Sequence, residues 1–250
     1  MLIRILEKSS RWQKEGVDNM FDVKIGDYSM YEDFGLQALS IDPGSAEVDE
    51  KFKEIPGRNG DLDLTEVLTG FPVYKNATMK LSFDFKDGNY DLWLIRGSEL
   101  KNKLHGRRMK VILGNDSFYY EGRVSVNTDK INKKYSTVEI SVNRDPYKLE
   151  QYSSLEDYLW DDFNFENGIV REYNNLQVNG TLEVIIPGRA MMVVPVFDCS
   201  SAMTVTYDGI IYDLPKGKSR TPDLLLKTGD NKLTFKGNGT VSIDYRGGSL

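Results

Sequence analysis

The sequence predicts a mainly β protein: an N-terminal β-sandwich or barrel-like domain carrying one α-helix, followed by a second β-sandwich. Three observations predict it. Several short runs alternate apolar and polar residues, most cleanly residues 78–85, and that is the period of a strand with one buried face. Fourteen tyrosines, eleven phenylalanines and three tryptophans supply aromatic side chains that suit a pleated, half-buried surface. One segment, from Tyr90 to Leu104, stands out with helical spacing instead. At 250 residues, 40% of them apolar, the chain can fill one large β domain or two of ordinary size.

In order along the chain, residues 21–25 have the two-residue alternation, and residues 36–41 a less regular form ended by Asp42-Pro43-Gly44. Residues 55–65 set Pro56, Gly57 and Gly60 ahead of Leu62 and Leu64. Proline fixes one backbone torsion and glycine permits its positive values, so this is a shaped turn feeding a short strand. Arg58 is flanked by Asp61 and Asp63, which can fork-bond its guanidinium within the turn or across a subunit boundary. In 78–85, Met79, Leu81, Phe83 and Phe85 share one side.

The helix is expected to bury Leu92, Trp93, Ile95, Leu100 and Leu104, leaving Arg96, Glu99, Lys101 and Lys103 to solvent. Asn89 suits its N-cap, Asp91 its first turn and Gly106 its C-cap. Gly97 inside it costs about 1 kcal/mol relative to alanine. Residues 109–113 and 118–126 form strands joined across a turn at 114–117, and residues 137–142 a further strand.

Asp145-Pro146 marks a domain boundary, because proline cannot sit within a central strand; it divides 1–146 from 147–250. Residues 150–166 are acidic and aromatic. Beyond Gly168, strands are expected at 181–186, 191–194, 204–207, 210–214, 223–227, 232–235 and 240–246. Asp208-Gly209 is a two-residue hairpin signal. Gly237-Asn238-Gly239 and Gly247-Gly248 are expected as turns flanking the last strand. Short strands punctuated by turns argue for a sandwich.

Composition narrows the function. A formal net charge of −6 offers no broad basic field for nucleic acid. No apolar run reaches membrane-spanning length, and the start, Met1 to Leu6, is too short and too soon charged for a secretory signal. The chain is expected to be soluble and to fold in a reducing cytoplasm. Cys199 is alone, so no intramolecular disulfide can form, and a buried thiol is favoured over a reactive one.

A single histidine, His105, leaves little scope for nucleophile–base pairs and excludes multi-histidine metal ligation. At the predicted helix end it is expected to bond the last carbonyls. Asp61 and Asp63 could seat a cation or serve as a glycosidase-like pair, but an Arg58-centred salt-bridge turn or subunit contact is favoured. Asp161, Asp162 and Glu166 lack the spacing of a calcium loop. Tyr158 and Trp160, with Phe163 and Phe165, are either a glycan-stacking platform or the inner face of the sandwich. No catalytic residue, metal or cofactor is assigned.

An ordered set of segments carries a resemblance: Pro56-Gly57-Arg58-Asn59-Gly60-Asp61-Leu62-Asp63, Leu104-His105-Gly106, Tyr119-Tyr120-Glu121-Gly122-Arg123, Pro146-Tyr147, and Gly237 to Thr240 with Tyr245 to Leu250. Together, from about Phe34 to the end, the chain resembles the distal tail proteins of long, non-contractile-tailed phages and prophages of Gram-positive bacteria. The resemblance implies an N-terminal ring-forming domain, assembled as a hexamer, and a projecting galectin-like C-terminal β-sandwich. It implies partners in the tail tube protein and the tail-associated lysin, fibre or receptor-binding proteins, at the virion tail tip, after assembly in the host cytoplasm. It implies no membrane, no cofactor, no specific nucleic-acid binding and no catalytic residues. There is no room for an inserted carbohydrate-binding module, so the chain resembles the short form. A carbohydrate-binding module that contacts cell-wall glycans is the competing expectation.

Overall fold

A computed structural model describes residues 21–85, 90–130, 136–155 and 172–250. The elements of the first half are β1 (Val23–Ile25), β2 (Tyr28–Ser29), β3 (Leu36–Asp42), β4 (Phe52–Lys53), β5 (Leu62–Asp63), β6 (Ala77–Phe85), α1 (Tyr90–Leu104), β7 (Arg108–Leu113), β8 (Phe118–Lys130), β9 (Ser136–Arg144) and β10 (Lys148–Glu150). The second half contains β11 (Leu176–Gly188), β12 (Val196–Cys199), β13 (Met203–Tyr207), β14 (Ile210–Leu214), β15 (Gly217–Arg220), β16 (Gly229–Asp244) and β17 (Gly248–Ser249). The fold is mainly β with one helix among the described residues, as the sequence predicts.

The first sheet runs β2-β1-β7-β8-β9-β6-β3, and every pairing along it is antiparallel. In β6 the predicted alternation holds: Met79, Leu81, Phe83 and Phe85 are buried while Thr78 and Lys80 face out. Each such side chain taken from water contributes about 1.5–3 kcal/mol, so the pleat alone gives this strand one committed face. β7 and β8 form the predicted hairpin, pairing Val111 with Tyr120 across the turn at 114–117.

α1 has the predicted limits and packs against β8. Its buried stripe is Trp93, Gly97, Leu100 and Leu104, three or four residues apart. Ile95 is therefore a correction, being 64% exposed beside the exposed Leu94. The stripe passes through Gly97, which adds no apolar signal, and so the sequence pattern points to the wrong neighbour. Asn89 and the Leu92 side chain lie outside the described residues.

A Cβ at Gly97 would meet the Thr128 methyl at 3.6 Å, an ordinary contact. Gly97→Ala is expected to stabilise the protein by about 0.5–1 kcal/mol, read as a higher urea midpoint at unchanged slope.

Gly106 ends the helix with φ +78°, and its N–H bonds the Val124 carbonyl on β8. His105 departs from expectation. Its ring accepts the Val126 N–H at Nδ1 (3.0 Å), tying the helix end to the sheet instead of capping helix carbonyls.

The second sheet runs β14-β13-β16-β12-β15, with β11 paired along β16. Asp208 and Gly209, at φ +50° and +79°, make the predicted two-residue turn between β13 and β14. The turn predicted at Gly237-Asn238-Gly239 does not exist. These residues lie inside the 16-residue β16, which the sequence divides into two strands. β12 and β13 follow β16 in one continuous register, so residues 200–203 stand opposite the glycines.

Gly237 and Gly239 have φ +149° and +139°, and a Cβ on them would stand 2.7 Å from Met203 Cβ and 2.5 Å from Ser200 Oγ. Gly239→Val is expected to cost about 2–4 kcal/mol, through backbone strain and overpacking together. A fall in the urea midpoint measures it.

Residues 191–194 and 223–227, predicted as strands, are instead loops joined by one bridge between Val193 and Leu226. Gly248 lies within β17 and is not part of a turn. Each half has its own core, built around residues such as Leu36, Phe83 and Leu104 in the first. In the second, Phe197 and Phe235 meet edge-on at 5.8 Å.

Candidate functional site

Between β3 and β6 the chain leaves the sheet, and none of the side chains of residues 43–76 is buried. The stretch is nevertheless shaped. β4 pairs with β5, Val48 bridges Tyr74, and Asp49 N–H bonds the Val73 carbonyl at 2.7 Å, which makes a double-tiered hairpin arm. At its tip Gly57 and Gly60 take φ +82° and +77°, as predicted for the turn there.

Arg58, Asp61 and Asp63 all lie at this exposed tip. Among the described residues, no ion pair joins Arg58 to either aspartate. Asp63 accepts the Thr65 N–H at 2.9 Å, and the Thr65 hydroxyl with that N–H holds its carboxyl below the usual carboxylate range. The predicted fork within the turn is thus not formed among the described residues. The arm also carries apolar side chains with nothing over them: Phe52 is 56% exposed, Val67 69% and Leu68 96%. Among the described residues, no group of three or more His, Cys, Asp or Glu side chains gathers as metal ligands would.

The root of the arm is held by Arg144, at the end of β9. Its Nε donates to the Pro43 carbonyl (2.8 Å) and Nη2 to that of Gly44 (2.7 Å), while Nη1 donates to those of Asp145 and Pro146 at 2.8 Å each. The guanidinium lies 4.8 Å from the Tyr120 ring centre, and burial lowers its pKa. One side chain thus ties the arm to the segment between the two halves. Sequence reasoning passes it over, although a signal exists: Arg144 continues the inward parity of Val138, Ile140 and Val142.

The halves are stitched at β10, which pairs with β8 on one side and with β17 on the other. Glu150, 6% exposed, accepts from Arg189 Nε at 2.8 Å and from the Gly247 N–H at 2.9 Å. Arg246 Nη1 donates to the carbonyls of Glu150 and Gln151 at 2.8 and 2.7 Å. Ser154 Oγ donates to the Ile243 carbonyl and accepts the Tyr245 N–H. The closing segment of the chain therefore serves as a splice back to the first sheet. Nothing local in the sequence marks Glu150 for this role, because its partners are about 40 and 97 residues away.

Tyr158 and Trp160, the candidate glycan platform, lie outside the described residues, as do Asp161, Asp162 and Glu166. Cys199 is 1% exposed, and burial beside Asp198 pushes its thiol pKa up, which keeps it protonated and unreactive at neutral pH. No helix among the described residues is long and apolar enough to cross a membrane.

The fold that these elements make is that of a phage distal tail protein. The chain is similar to the crystal structure of the Dit protein (gp 19.1) of phage SPP1, with TM-score 0.61 and 12% sequence identity over 92% of this chain and 99% of that one. That protein is presented as a paradigm of the hub adsorption apparatus in phages infecting Gram-positive bacteria. No protein-family model and no curated protein matches the sequence.

Proposed function

We propose that this chain is a structural hub at the distal end of a long, non-contractile phage or prophage tail. Six copies close head to tail into a ring that joins the tail tube to the adsorption apparatus. The observation that supports this reading is the likeness in fold, which spans nearly the whole of both chains, to a phage adsorption hub. Residues 1–146 form the ring and residues 147–250 project from it as a galectin-like module. A head-to-tail contact closes into a ring only when its rotation divides a full turn.

The chain works by docking, without catalysis and without a cofactor. Its partners are copies of itself, the tail tube protein, and the lysin, fibre or receptor-binding proteins of the tail tip. The acidic balance of the sequence fits a lumen that does not hold passing DNA. Immunogold labelling of the virions that carry this chain tests the reading. Label at the tail tip supports it; label along the tail tube or on the capsid overturns it.

A further inference from the structure

We propose that the 43–76 arm of one copy seats Val67 and Leu68 on the exposed Leu94–Ile95 face of α1 in the next copy. The inference rests on the ring reading and names the contact that closes it. Among the described residues of the first half, one exposed apolar surface lies on the arm and another on the helix. Neither covers the other within a chain, since Leu68 is 96% and Ile95 64% exposed. Patches of this kind on a shaped, unburied element mark interaction sites.

Their charges are opposite. Residues 43–76 carry seven acidic and four basic side chains, and Glu50, Asp63 and Glu66 line the groove that holds Val67. Residues 94–108 carry five basic side chains and one acidic. Lys103 pairs with Glu99, and Arg108 pairs with Glu121 and Asp145. Among the described residues, Lys101 and Arg107 have no carboxylate partner. An acidic apolar arm thus meets a basic apolar helix face, which steers the encounter and fixes its direction. On the ring reading each copy offers its arm to one neighbour and its helix to the other, a head-to-tail contact that closes when its rotation divides a full turn.

Light scattering on the full chain at high concentration tests this, with Leu68→Asp and Ile95→Asp beside the native protein. Each substitution lies on an exposed side chain, so the thermal midpoint should hold. The concentration for half-assembly should rise about tenfold or more, as for a central apolar contact. A second measurement is independent of this. Chains carrying Leu68→Cys and Asn102→Cys are mixed and treated with a short bis-maleimide, to which the buried Cys199 does not respond. A crosslink between the two kinds of chain supports the docking. Native rings with unaltered assembly of both Asp variants and no crosslink overturn the docking alone. A native chain that stays solitary overturns the docking and the ring together.

Discussion

Arg144→Met is expected to lower stability by about 3 kcal/mol, and the thermal midpoint by about 6–12 °C. The physical basis is the asymmetry between making and breaking hydrogen bonds that are partly shielded from water. Among the described residues no carboxylate pairs with the guanidinium; four backbone carbonyls and the Tyr120 face solvate it instead. Removing the donors leaves the part-buried carbonyls of Pro43, Gly44, Asp145 and Pro146 without this partner, and an unmet acceptor costs about 1–3 kcal/mol where water does not reach it. Arg144→Lys should recover only a small part of the loss, because an ammonium cannot span four carbonyls with a planar fork. A further consequence follows from position. Pro43 and Gly44 are the root of the arm, so hydrogen exchange at residues 44–76 should rise more than exchange in β6 and β9. A melting temperature within a degree of the native one would show that the four bonds are dispensable.

Glu150→Ala is the second large effect, about 2–4 kcal/mol, and it should act on the joint and not on either core. The carboxylate bridges Arg189 and the Gly247 N–H, which hold the loop before β12 and the splice at β17. Without it, Arg189 loses the Glu150 carboxylate in a site where its own side chain is 23% exposed. The partial exposure of the arginine keeps the cost below that of a fully buried pair. Calorimetry is expected to show one unfolding transition for the native chain and two for this variant, one for each core. Arg189→Met alone should cost less than Glu150→Ala, and the double variant less than the sum, because the pair is one contact. Strict additivity would mean that the two side chains do not stabilise each other.

Much of the fold was legible locally. α1 has the limits that its spacing predicts, β6 buries the four residues its alternation selects, and Asp208-Gly209 turns where a hairpin pair should. In these elements the periodicity of the chain and the tertiary burial agree. Two of the misreadings come from glycine. Gly237 and Gly239 look like a turn, yet they allow a long strand to pass Met203 and Ser200 closely enough that no Cβ fits. Gly97 belongs to the buried face of α1 but carries no side chain to announce it, and Ile95 was selected in its place.

The candidate site was legible only in part. The turn around Arg58, Asp61 and Asp63 is where the sequence places it, but the arm behind it emerges only from burial. Thirty-four consecutive residues without a buried side chain are not a property of any local pattern. Arg144 and Glu150 act through partners far away in sequence, and no motif reports such distances. Tyr158 and Trp160 lie outside the described residues.

The most direct measurement of the central claim is native mass spectrometry of the purified full chain, with negative-stain class averages from the same sample. The account expects a species of six chains and rings with six-fold symmetry. A solitary chain at every accessible concentration, with no ring in the images, would contradict it.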